Sequence, residues 1–139
     1  CSTVAMRPGY AQIGRTATNQ GYSWNTYNNV IGKMVTPKLA AGNLTLSFKA
    51  MMYRCPLIGR TDTTPIDNVV ADKIVVNVIG GGTFEDGTTS KTISGVSHSA
   101  FQTQTLTIKD ATADTQIEFT SPSDVPSTRW FIDDICVSK

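Results

Sequence analysis

The sequence predicts an all-β domain, an antiparallel β-sandwich or jelly roll, and three observations support this. Several segments alternate apolar and polar residues with a period of two, as half-buried strands do. Turn signals rich in Gly, Pro, Asn and Asp separate these segments. The helix-like stretch "PKLAAG" is too short to form a structural layer. Short strands joined by turns, without helices, are typical of two packed sheets.

The strands can be followed along the chain. "YAQIG" and "KMVTP" are short candidates, and "LTLSFKAMM" is the clearest, with alternate apolar residues from Leu44 to Met52 on one face. "KIVVNVIG", "TLTIK" and "QIEF" alternate in the same way, and "RWFIDDICVSK" closes the chain. The residues that we expect in the shared core are Leu46, Phe48, Ile74, Val76, Ile117, Phe119 and Ile135.

Length and charge limit the possible functions. The 139 residues suit one domain over residues 1–139, large enough to bury a core without disulfides. Twelve Lys and Arg against 11 Asp and Glu leave a net charge of +1, which supplies no basic surface for nucleic acid. No apolar run reaches the roughly 20 residues of a membrane span. We therefore expect neither nucleic-acid binding nor membrane insertion.

The three cysteines are Cys1, Cys55 and Cys136, and their spacing does not match a zinc site. Cys55 and Cys136 border apolar strand segments, so we expect them to be small core residues. One disulfide and one odd thiol is the alternative. Cys1 followed by Ser2 also fits the acylated start of a bacterial lipoprotein, although strand-like sequence follows where a flexible tether would be expected.

No catalytic site is evident in the sequence. His98 is the only histidine, and on a strand the neighbouring Ser97 and Ser99 would point away from it. The two glutamates are Glu85, in an apparent hairpin, and Glu118, on the polar side of a strand. The two placed carboxylates that a glycosidase needs are therefore not apparent. We expect a non-catalytic protein and rank a fragment of a glycoside hydrolase last.

The segment "NQGYSWNTYNN" indicates a candidate binding site. Tyr22, Trp24 and Tyr27 lie within six residues, separated by Asn25 and other small polar residues. Aromatic faces beside amide groups suit a neutral sugar, whose C–H face packs on a ring while its hydroxyls need directional partners. Two alternatives stay open: Trp24 and one tyrosine close the open end of the sandwich, or the segment contacts another protein.

The order of motifs resembles a known group of modules. "GYAQIG", "GKMVTPKL", "LTLSFKA", "ADKIVVNV", "TQIEF" and "RWFIDDICV" follow one another over nearly the whole chain. In this order they resemble the galactose-binding-like, choice-of-anchor and cleaved-adhesin jelly rolls of Bacteroides-type secreted and surface proteins. The resemblance implies an adhesin-like carbohydrate-binding domain, secreted or on the bacterial cell surface. Such modules usually begin with a further strand, which implies that this chain lacks a first strand or is cut from a larger protein.

The closing strand places two carboxylates side by side among apolar residues. Alternation puts Asp133 on one face with Phe131, Ile135 and Val137, so we expect Asp133 to point inward. A buried carboxylate needs a hard cation or several hydrogen-bond donors. In related jelly rolls an Asp-x-Ile-x-Val run helps to hold structural calcium, so the resemblance implies Ca²⁺ at Asp133. An Asp133 held only by hydrogen bonds is the alternative.

Together these features predict a non-catalytic carbohydrate-binding module of an exported bacterial protein. The predicted binding residues are Tyr22, Trp24, Asn25 and Tyr27, and the predicted ligand is a glycan or cell-surface polysaccharide. A structural or adhesive module that contacts another protein, or another domain of the parent protein, is the alternative function.

Overall fold

The computed structural model describes residues 4–7, 9–14, 31–53, 72–123 and 129–139, and for residues 4–7 it describes only the strand. These residues form ten strands and no helix. The strands are β1 (Val4–Arg7), β2 (Tyr10–Gly14), β3 (Lys33–Val35), β4 (Gly42–Met52), β5 (Ile74–Ile79), β6 (Thr83–Phe84), β7 (Ser90–Ile93), β8 (Gln102–Ala111), β9 (Gln116–Thr120) and β10 (Arg129–Ser138).

The strands form two antiparallel sheets. One has the order β1-β2-β10-β4-β8-β6, and the other has the order β3-β9-β5-β7. Strands that are neighbours in a sheet are mostly distant in sequence, so the chain crosses repeatedly between the sheets. This confirms the predicted antiparallel β-sandwich of the jelly-roll class.

The core lies between the two sheets. On β4 the burial alternates, with Leu46 and Phe48 fully buried and Lys49 exposed, as the sequence pattern predicts. The rings of Phe48 and Phe119 meet across the two sheets, edge to face, with centroids 5.1 Å apart. Trp130 contacts Phe119 from β10 at 6.5 Å. The predicted core residues that are fully buried are Leu46, Phe48, Ile74, Val76, Ile117 and Phe119.

The seventh predicted core residue, Ile135, lies in a β-bulge of β10. The register with β4 is regular up to Asp133 and shifts before Cys136. Asp134 and Ile135 therefore lie opposite a single residue of β4. Asp134 has a φ of 49°, in the left-handed region. Ile135 is 40% exposed. The prediction that Ile135 is a core residue was wrong, because the face to which alternation assigned it, that of Phe131 and Asp133, is the outer face of the sheet.

The inward orientation of Asp133 was also wrong. Trp130 and Ile132 pack in the core, so Phe131 and Asp133, which alternate with them, point outward. Asp133 pairs with Lys49, and directly paired strand residues lie on the same face. Lys49 is exposed, so Asp133 lies on the outer face of the six-stranded sheet, half-buried.

Cys136 follows the bulge and is an exposed free cysteine. The prediction that Cys136 is a small core residue was therefore wrong, because the register shift turns it outward, opposite Ser47. Cys1 and Cys55 lie outside the described residues, so the core position predicted for Cys55 stays a prediction.

Candidate functional site

A cleft lies on the outer face of the four-stranded sheet. It has a volume of about 380 Å³, and strands β3, β5, β7 and β9 all contribute to it. Its floor comes from the outward positions of these strands, including Asn77 and Glu118, which face each other across β5 and β9. Ile31 and Val75 add apolar surface, and Ser121 and Ser123 lie in the segment that follows β9. The cleft therefore combines hydrogen-bonding groups with small apolar patches.

A network centred on Glu118 organises the floor of the cleft. Lys33 Nζ donates to Glu118 Oε2 at 3.0 Å, and Asn77 Nδ2 donates to Glu118 Oε1 at 2.9 Å. The Glu118 side chain is 14% exposed, whereas that of Lys33 is 58% exposed. Burial by itself raises the pKa of Glu118, but the hydrogen bonds from Asn77 and Lys33 outweigh this and lower the pKa below its usual value. Glu118 is therefore a charged acceptor at neutral pH.

One wall of the cleft follows the end of β9. Thr120 is buried, and its Oγ1 donates to the carbonyl oxygen of Gly32 at 3.0 Å. Ser121 is 3% exposed, and among the described residues its hydroxyl finds no hydrogen-bond partner. Buried hydroxyl groups are usually satisfied, so an unsatisfied one beside a cleft is unusual.

The predicted binding residues Tyr22, Trp24, Asn25 and Tyr27 lie outside the described residues, and their role stays a prediction. The described residues on either side of their segment lie close together. Gly32 N donates to the carbonyl oxygen of Gly14 at 2.7 Å. The neighbouring residue 31 lines the cleft. The described ends of the segment therefore lie beside the cleft.

Sequence patterns alone do not mark the cleft residues as a site. Strand alternation predicts that Glu118 lies on the polar side of a strand, and it indicates no role for Lys33 or Asn77. Glu118 and Asn77 are 41 positions apart, and Glu118 and Lys33 are 85 apart. No local spacing signals these contacts, because only the order β3-β9-β5 brings the three residues together.

Aromatic rings form a second surface feature, on the outer face of the six-stranded sheet. Phe131 contacts Tyr10 at 4.9 Å and Tyr53 at 5.3 Å, and Tyr10 contacts Phe101 at 6.2 Å between ring centroids. Phe131 is buried, and the other three rings are half-buried. The guanidinium of Arg129 lies 5.9 Å from the centre of the Tyr53 ring. These rings mainly cover one another and the sheet beneath them.

The bulge in β10 carries the acidic pair. Asp134 N donates to Asp133 Oδ1 at 2.8 Å, and Asp134 forms an ion pair with Lys49 at 2.6 Å. The hydrogen bond with Asp134 raises the pKa of Lys49. Within the described ranges, no group of three or more His, Cys, Asp or Glu residues could hold a metal ion. Ca²⁺ at Asp133 stays a prediction.

Comparisons with known proteins identify the fold. No protein-family model matches the sequence, and no curated protein matches it. Among solved structures, the chain is similar to a CBM4 carbohydrate-binding module, with 20% identity and a TM-score of 0.54 over 99% of this chain and 75% of that one. A candidate sugar-binding protein from Bacteroides thetaiotaomicron has 9% identity and a TM-score of 0.49, over 94% of this chain and 75% of that one.

Within the part of the chain that the structure describes, no helix is long and apolar enough to cross a membrane.

At 20% identity the similarity to the CBM4 module shows the fold alone. The resemblance seen in the sequence is confirmed at that level: the chain has a jelly-roll sandwich, like the CBM4 module.

Proposed function

We propose that the chain is a non-catalytic carbohydrate-binding module of a bacterial protein that is secreted or displayed on the cell surface. The observation that carries the proposal is the cleft, with Asn77 and Glu118 as hydrogen-bonding groups and Ile31 and Val75 as apolar surface. A sugar ring needs both kinds of contact, because its hydroxyls require directional partners while its C–H groups are apolar.

The predicted aromatic segment fits the same proposal. Tyr22, Trp24, Asn25 and Tyr27 belong to the segment whose described ends lie beside the cleft. If their aromatic rings reach the cleft, they would supply a stacking surface, which the described lining residues do not provide. We expect the ligand to be a glycan or cell-surface polysaccharide. We also expect the module to contact other domains of its parent protein.

Binding can be tested by affinity electrophoresis in gels that contain a soluble neutral polysaccharide, followed by calorimetry with matching oligosaccharides. Asn77→Ala should weaken binding about five- to tenfold, because it removes an amide from the floor of the cleft. Trp24→Ala should abolish binding while the protein stays folded. Thr103→Ala, at an exposed position of the other sheet, is the control and should bind normally.

Two results would contradict the proposal. One is failure of the wild-type protein to bind any glycan of a broad array. The other is binding that neither Asn77→Ala nor Trp24→Ala changes. The same glycans incubated with the protein should stay uncleaved, as judged by chromatography of the reducing ends, and release of shorter products would indicate a hydrolase.

The second candidate function is a structural or adhesive module. The aromatic rings of Tyr10, Tyr53 and Phe101, half-buried on the outer face of the six-stranded sheet, favour it, because aromatic residues are enriched in protein interfaces. This function predicts that Tyr10→Ala weakens binding to a neighbouring domain of the parent protein and leaves glycan binding unchanged.

A further inference from the structure

The cleft contains one ion pair, whose two side chains differ in their exposure to solvent. Among the described residues that line it, Glu118 is the only carboxylate and Lys33 the only cation, and their charged atoms are 3.0 Å apart. Seen from a distance, the two charges cancel. Inside the cleft they do not, because Glu118 is 14% exposed and Lys33 is 58% exposed. Water and salt screen the exposed ammonium group more than the sheltered carboxylate.

We infer that Glu118 determines the specificity of the cleft, by excluding acidic sugars and retaining neutral ones. The inference rests on the proposed function, since it concerns the class of glycan that the same cleft binds. A uronate carboxylate on the floor of the cleft would be repelled by the negative charge of Glu118. The ammonium group of Lys33 would not offset this repulsion, because it already pairs with Glu118. Like charges placed together across an interface strongly disfavour binding.

A neutral sugar meets no such repulsion and finds complementary groups. A carboxylate has about four lone-pair sites, and Asn77 and Lys33 each donate one hydrogen bond to Glu118. Sugar hydroxyls can donate to the remaining sites. The hydrogen bond from Asn77 Nδ2 also fixes the orientation of its amide, which leaves Oδ1 as an acceptor.

The test is Glu118→Gln, which keeps the shape of the side chain and removes its charge. Calorimetry would compare the wild-type protein and the variant with cellohexaose, mannohexaose and xylohexaose as neutral probes and hexagalacturonate as the acidic probe. We expect the ratio of acidic to neutral affinity to rise at least tenfold in the variant, because Lys33 is left without its counter-charge. The gain should shrink when salt is raised, since it is electrostatic.

Glu85→Gln is the matched control, because Glu85 is the other glutamate of the chain, is exposed, and lies outside the cleft. It should leave the ratio unchanged. Thermal melts of both variants would show that they fold. A wild-type protein that binds a neutral probe, with a Glu118→Gln ratio that does not change, would overturn this inference and leave the proposed function intact. A wild-type protein that prefers hexagalacturonate would overturn it too. If no neutral glycan binds, the proposed function fails first, and the inference fails with it.

Discussion

Replacing Asp133 with alanine tests how the bulge in β10 is held. In the structure, Asp133 Oδ1 accepts one hydrogen bond, at 2.8 Å, from the backbone of Asp134, which has a φ of 49°. The carboxylate is half-buried on the outer face, so its loss should cost about 1–2 kcal/mol, the worth of one charge-assisted hydrogen bond. For a domain of this size that corresponds to a fall in Tm of roughly 3–6 °C.

The free energy of unfolding would be measured by urea denaturation. Tryptophan fluorescence is a suitable signal, because Trp130 is fully buried. Asp133→Asn is the matched variant: it keeps an oxygen acceptor for the Asp134 backbone and should lose less stability than Asp133→Ala. Wild-type melts with and without a calcium chelator test the predicted metal. If Asp133 binds Ca²⁺, the chelator should lower the wild-type Tm and leave that of the alanine variant unchanged.

A loss of about 3 kcal/mol or more on Asp133→Ala would refute this reasoning, because that magnitude belongs to a broken buried charge network rather than to one hydrogen bond at the surface. Equal losses for the alanine and asparagine variants would also refute it, since they would show that the accepted hydrogen bond is not what Asp133 contributes.

Three further predictions concern other parts of the fold. Gly80→Ala should destabilise the protein by about 2 kcal/mol or more in urea denaturation, because Gly80 has a φ of 77° and an added Cβ would collide with the backbone oxygen of Asp114. Hydrogen bonds from Lys91 and Thr88 lower the pKa of Asp86 to about 2. NMR titration should therefore show a higher pKa for Asp86 in Lys91→Met. Because the folded pKa lies below the usual 3.8, any stability from this carboxylate is present above that value and is lost as the pH falls towards 2. Cys136 should react with a thiol reagent in the folded protein; mass spectrometry would locate the label, and a protected thiol would contradict its exposure.

The sequence by itself determined the class of fold and most of the core. On β4, alternation from Leu44 to Met52 predicted the buried face, and the structure has these residues buried in that pattern. This succeeds because side chains of a regular strand alternate by local geometry, whichever strands lie beside it. On β10 this reasoning failed. Alternation does not show which face of a strand is buried, and Asp133 and Ile135 were assigned to the face that lies outside. Cys136, expected in the core because it borders an apolar segment, is turned outward by the β-bulge. A bulge depends on how β10 pairs with β4, and its single extra residue reverses the alternation that follows it.

The candidate cleft was decided by the tertiary structure alone. Lys33, Asn77 and Glu118 lie on three strands and make contact only because β9 pairs with both β3 and β5. Each of the three is an ordinary polar residue at an outward strand position, so periodicity could show that it faces solvent but not which residues it meets. Strand order and register arise from the packing of the whole sandwich, and these long-range pairings bring a lysine, an asparagine and a glutamate into one hydrogen-bonded network.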